Sequence, residues 1–159
     1  MGRLSGKKRV YDPDQTMTRQ EFAAVITRWL DVDTAVYSEG KLSFSDASKI
    51  QDWAKDSVKA AVALGYMAGK AVSGTDTVNF DPTGPISRQE VMTVIGRIQE
   101  KGYPEAPLQF KDAKDVASWA LPYASALVGQ GVITGYDGKL HPNGNVTRAQ
   151  IAKIISELN

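Results

Sequence analysis

Apolar residues recur at three stretches with the three-and-four spacing of a helix buried on one face. They are Phe22, Val25, Ile26 and Trp29; Val91, Val94, Ile95 and Ile98; and Ile151, Ile154, Ile155 and Leu158. The same polar signal precedes each stretch. Thr18 with Glu21, Ser87 with Glu90 and Thr147 with Gln150 are capping boxes, which satisfy the first free amides of a helix reciprocally. Met17, Ile86 and Val146 stand before the caps, and Phe22, Val91 and Ile151 after them, so each start also carries a hydrophobic staple. Two further helices are expected upstream of the second and third of these. They would open at Asp52 and Ser118, both good N-cap types, and end at Gly65 and Gly131, where glycine suits the residue after a helix. Pro122 falls in or just past the first turn, where proline disrupts least.

The pattern also repeats at longer range. Phe44-Ser45-Asp46 with Trp53-Ala54 returns 66 residues later as Phe110-Lys111-Asp112 with Trp119-Ala120. The same offset carries the stretch from Gly65 to Gly69 onto that from Gly131 to Gly135. Phe80-Asp81-Pro82 and the helix start at Ile86 return at offset 60, so the earlier copy holds six more residues between Gly69 and Phe80. A half copy stands at the N-terminus, where Gly2, Gly6, Tyr11-Asp12-Pro13 and Met17-Thr18-Arg19 align with Gly131 onward at a constant offset of 129. The chain therefore reads as two and a half helix-loop-helix units, at 1–31, 43–99 and 110–159, with linkers at about 32–43 and 100–109. One helix pair buries too little apolar surface to stand alone. Trp53, Val58, Val62, Leu64, Val94, Ile95, Ile154 and Ile155 are expected to share a core across units, and Trp29 to lie on the buried stripe of its helix.

These motifs in fixed order resemble the S-layer homology family, known by an F-x-D start, a W-A pair, a G-x-x-x-G stretch, an F-x-P loop and an I-T-R-A-E helix start. The resemblance spans nearly the whole chain. Departures are Ser87 for threonine, Gln20 and Gln89 for alanine, Gln150 for glutamate, Leu140 for phenylalanine, and the missing first half-unit. The resemblance implies a mainly α fold, a pseudo-threefold helical bundle with prongs and grooves between repeats. It also implies a non-catalytic module that binds anionic, pyruvylated secondary cell wall polysaccharide. Such a module would hold a surface-layer protein or exoenzyme on the extracellular face of a bacterial wall. A structural assembly module working through protein–protein contacts is the alternative.

Composition narrows the chemistry. Nineteen lysines and arginines against eighteen acids leave +1, without the basic excess of a nucleic-acid binder. Cysteine is absent and His141 is the single histidine, which removes thiol chemistry and multi-histidine metal sites. No cofactor or metal is expected, since Asp137-Gly138 lacks the acidic ladder of a calcium loop and the glycine pairs lack a following Lys-Ser/Thr. No apolar run reaches the length of a membrane span, and the first residues lack a signal-peptide core.

Candidate ligand residues come from the repeats. Arg19, Arg88 and Arg148 each follow a cap, where a cation opposes the helix dipole by about 0.3–1 kcal/mol. An anion held by free helix-start amides and a guanidinium fork explains them; so does a structural arginine bonding loop carbonyls or an acid of the next unit. Replacing Arg19 or Arg88 by alanine is expected to weaken attachment and spare helicity. Trp53 and Trp119 offer sugar platforms or core bulk. Asp46 and Asp112 hold the loop, an arginine or a ligand, and Gly69 and Gly135 allow positive φ or close approach of a ligand. Glu21 and Glu90 are explained by capping rather than as a catalytic pair, because Gln150 caps without ionising. Grooves between the second helix of one unit and the first of the next would face Arg19 toward the region 46–53 and Arg88 toward 112–119. Arg148 would await a first helix absent from the sequence, so its site should be the weakest. An upstream half-repeat or a second chain is the expected partner that completes the bundle.

Overall fold

The computed structural model describes residues 14–99 and 109–158; the half unit's glycine stretch and loop at 2–13 lie outside them. Five helices form: α1 (Arg19–Trp29), α2 (Lys55–Ala63), α3 (Arg88–Gln99), α4 (Leu121–Gly129) and α5 (Arg148–Leu158). A two-stranded hairpin, β1 (Lys70–Ala71) against β2 (Val78–Asn79), occupies the extra residues of the second unit. The fold is mainly α, as the sequence predicts.

The three capped starts form as read. Thr18 Oγ1 accepts from Glu21 N at 3.3 Å, and Glu21 Oε1 accepts from Thr18 N at 2.8 Å. Ser87 with Glu90 and Thr147 with Gln150 repeat the exchange. The upstream helices end as expected, with Gly65 and Gly131 left-handed at φ 79° and 77°. Their starts differ. Asp52 begins a short 3-10 turn, Asp52–Ala54, and α2 opens at Lys55, with Ala54 as its cap residue. α4 opens at Leu121, with Ala120 rather than Ser118 at the cap position and no side-chain cap. The tight turn swings Ala54 and Ala120 fully inside and leaves Trp53 and Trp119 outside.

That later start corrects part of the expected core. Val58, Val94, Ile95 and Ile154 are buried, and Val62 and Ile155 pack against them partly exposed. Trp53 is 57% exposed because it precedes the helix, and Leu64 is 37% exposed because it ends one. Trp29 lies half-buried against the core. Fully enclosed Phe22, Ile26, Phe80, Ile86, Leu127 and Leu140 carry the centre, each contributing about 1.5–3 kcal/mol of burial.

Helices pack across unit boundaries: α1 on α2 and α3 on α4. Gly96 in α3 makes the second contact possible, since a Cβ there would stand 2.4 Å from the Tyr123 ring. The helix starts close into a ring. Arg19 N donates to Gly84 O, Arg88 N to Gly144 O and Arg148 N to Gln15 O, three equivalent links from each unit to the next. Isolated bridges Thr18–Pro85, Ser87–Asn145 and Thr16–Thr147 run alongside. Among the described residues the ring closes at the helix starts, where Arg148 N meets Gln15 O and the Arg148 guanidinium meets Glu21.

Candidate functional site

The ring uses the amides that an anion would need. Besides the three arginine N–H groups, Gln20 N and Gln89 N donate to Pro82 O and Pro142 O at 2.9 Å. Helix-start amides are therefore taken by the neighbouring unit's loop, and the reading of a free amide nest is corrected.

The arginine side chains differ from one another. Arg19, 3% exposed, donates from Nε to Phe80 O at 2.6 Å, from Nη2 to Ala68 O at 2.7 Å and from Nη1 to Glu90 Oε2 at 2.6 Å. Its guanidinium also lies 4.9 Å from the Phe80 ring centroid. Burial pushes the Arg19 guanidinium below its ordinary value, and Glu90, Asp81 and Asp46 oppose that shift; it stays charged. Arg148 pairs with Glu21 Oε2 at 2.6 Å. Arg88 donates from Nε to Leu140 O at 3.0 Å and sits 5.8 Å from the Tyr136 ring centroid. Burial lowers it as well, opposed by Tyr136. Glu21 and Glu90 thus divide their oxygens, one for the cap and one for the preceding unit's arginine. Capping alone does not account for them.

The aspartates hold loops. Asp46 accepts from Phe80 N and Asp81 N, both at 2.8 Å; Asp112 accepts from Leu140 N and His141 N at 2.8 and 2.9 Å. Burial works to raise the Asp112 carboxyl, and those backbone donors bring it below the usual range. Asp81 and His141 share a left-handed backbone, φ 59° and 57°, a region where Asp and His are enriched. The glycines make room for the F-x-D phenylalanines. A Cβ on Gly69 would stand 2.5 Å from Phe44 Cε1, and one on Gly135, at φ 71°, 2.6 Å from Phe110 Cε1. Gly69 has no positive φ; close approach of Phe44 is its reason.

Two glutamines, passed over as departures, tie one unit to the next. Gln20 Oε1 accepts from Gln51 N, and Gln89 Oε1 accepts from Ala117 N. Gln51 Oε1 in turn takes the Trp53 indole N–H at 2.9 Å. The signal was present: a long amide at the same place in two units, both now buried.

One groove gathers residues of all three units. A cavity of about 410 Å3 is lined by Arg19, by the stretch from Met67 to Ala71, by Glu90, Thr93, Val94 and Arg97 of α3, and by Trp119. Arg19 therefore shares its groove with Trp119 rather than Trp53, because the groove follows its own unit's second helix to the next unit's tryptophan. Trp119 is half exposed and its indole N–H has no protein acceptor among the described residues. Arg19 pairs with Glu90 and Lys70 with Asp81, at 2.6 and 3.1 Å, while Arg97 donates from Nη1 to Tyr66 O at 3.3 Å. Among the described residues no cluster of three or more His, Asp or Glu side chains could hold a metal, and no helix is long and apolar enough to cross a membrane.

Fold and groove together define a tandem-repeat helical module with a cleft between units edged by Trp119. The sequence profile of the S-layer homology domain matches residues 43–92 and 109–152. The chain belongs to that family, and by family it is a cell-surface anchoring module. It is similar to the amylopullulanase of Thermoanaerobacterium thermosulfurigenes, 32% identical over 91% of this chain and 8% of that protein. It is also similar to the surface-layer 125 kDa protein of Lysinibacillus sphaericus, 31% identical over 92% of this chain and 12% of that protein. The S-layer protein EA1 of Bacillus anthracis is 28% identical over 98% of this chain and 17% of its own length. The chain spans less than a fifth of each of these relatives.

Proposed function

We propose that this chain is a non-catalytic module that holds a larger surface protein to the bacterial wall by binding an anionic, pyruvylated secondary cell wall polysaccharide in the grooves between units. The observation that carries the reading is the groove of Arg19, Lys70, Arg97 and Trp119. Two tryptophans kept half outside at the same place in successive units contribute little to the core, and an indole face beside cations suits an acidic sugar. The repeated acids Glu21 and Glu90 are committed to caps and ion pairs rather than set as an acid–base pair for hydrolysis. Relatives named as surface-layer proteins and as an amylopullulanase each match this chain over a small part of their length, as an anchoring part would.

The test is sedimentation of the purified protein with wall sacculi, before and after the secondary polymer is stripped. Pelleting that disappears with the polymer supports the reading. Pelleting that survives stripping, or none at all, refutes it and favours assembly through protein contacts.

A further inference from the structure

The link between the second and third units rests on two carbonyls that flank one loop residue. Arg88 N donates to Gly144 O and Gln89 N to Pro142 O, both at 2.9 Å. Asn143 stands between those carbonyls and is exposed. Thr83 holds the same place in the second unit, between Pro82 O and Gly84 O, which take Gln20 N and Arg19 N. Of these two loop residues only Asn143 carries a side-chain amide, and a glycine, Gly144, follows it.

An asparagine before glycine is open to attack by its own main chain, because no Cβ shields the following nitrogen. The surroundings add to this. Gln89 Nε2 donates to Asn143 Oδ1 at 2.9 Å, which sets a fixed donor on the oxygen that gains charge when its carbon is attacked. Asn143 Nδ2, the leaving group, has no protein partner among the described residues. One bond restrains the nucleophile: Gly144 N donates to His141 O at 3.1 Å across the turn. The other described asparagines, Asn79 and Asn145, precede Phe80 and Val146, whose side chains crowd the attacking nitrogen.

We infer that Asn143-Gly144 is a site of spontaneous imide formation, and that hydrolysis of the imide to isoaspartate unlocks the link between the second and third units. Gly144 N gives its proton to solvent and bonds to Asn143 Cγ. The Cγ–Nδ2 bond breaks, and ammonia leaves with a proton taken from water. Water then opens the ring. Addition at Cγ yields aspartate and restores the main chain; addition at the Asn143 backbone carbonyl carbon yields isoaspartate, whose main chain runs through Cβ and Cγ. The second product inserts one carbon between Pro142 O and Gly144 O, so Gln89 N and Arg88 N lose the spacing they now meet. The inference concerns ring closure and does not depend on what the grooves hold.

The experiment ages the whole chain in mildly alkaline buffer below its melting range, then maps its peptides by mass spectrometry with isoaspartyl methyltransferase labelling. Amide loss and isoaspartate should accumulate at Asn143 at least about tenfold faster than at Asn79 or Asn145. Gly144→Ala should slow the reaction at least about tenfold. A Cβ there meets His141 O at 3.4 Å and Arg88 Cδ at 3.7 Å, ordinary contacts, so the variant folds; a thermal melt confirms that. The isoaspartate fraction, separated by ion exchange, should exchange its Arg88 and Gln89 amide hydrogens at least about tenfold faster than fresh protein, with Arg19 and Gln20 unchanged. Asn143→Asp adds the charge without lengthening the chain and should keep the slow exchange. Equal rates at the three asparagines, an unslowed Gly144→Ala, or unchanged Arg88 and Gln89 exchange in the isoaspartate fraction overturns the inference. So does fast exchange in Asn143→Asp, which would place the loss on charge rather than on chain length.

Discussion

Arg19→Ala should unfold this protein more readily than any other single arginine replacement in the ring. The side chain is 3% exposed and its loss leaves Phe80 O, Ala68 O and one Glu90 oxygen without their donors. Removing one partner of a buried ion pair costs about 3–5 kcal/mol. The Glu90 side chain keeps 15% of its exposure, so the lower end applies. For a chain of this length, 3 kcal/mol lowers Tm by roughly 6–12 °C. Arg88→Ala forfeits one charged bond, to Leu140 O, and should cost about 1.5–3 kcal/mol. Adding Glu90→Gln to Arg19→Ala removes the stranded charge while keeping the cap on Ser87 N, and should recover about 1–2 kcal/mol. Urea unfolding followed by far-ultraviolet circular dichroism at neutral pH reads all four proteins. Equal midpoints for Arg19→Ala and Arg88→Ala, or no recovery in the double variant, would refute the assignment of Arg19 as a structural cross-link.

Trp119→Ala should weaken pelleting with sacculi about tenfold while moving Tm by less than about 2 °C, because half of the ring is already in water; a large Tm loss would mark it as core. Gly69→Ala should destabilise by about 1–3 kcal/mol through overlap with Phe44 and Val78, measured as a lower urea midpoint. The Asp112 carboxyl is held below its usual range in the folded chain, so its contribution is present above the unfolded value of about 3.9 and is lost as pH falls through the lower folded value. Asp112→Asn should therefore be less stable than wild type at neutral pH, and the difference should shrink in acid titrations below about pH 4. A constant difference would show that the carboxylate's charge plays no part.

Local chemistry in the sequence determined the helices with capped starts, the left-handed glycine ends and the repeat itself. Capping boxes such as Thr18 with Glu21 act within four residues, and the three-and-four spacing of Phe22, Val25 and Ile26 is a property of one helix; neither needs a neighbour to be read. The positions of Trp53 and Trp119 were not readable in this way. Whether a helix begins at Asp52 or at Lys55 depends on Ala54 being pressed into the core by a preceding tight turn, a packing decision. Gln20 and Gln89 looked like departures from a pattern and proved to be ties to the next unit, over a separation that no local rule spans. The arginines show the division most clearly. Sequence placed all three at equivalent helix starts, but only the closed ring brings Glu90 to Arg19 and Glu21 to Arg148, and leaves Gln150 in the third unit's equivalent place. Charge pairing depends on distance in space, and distance between units is set by the tertiary fold.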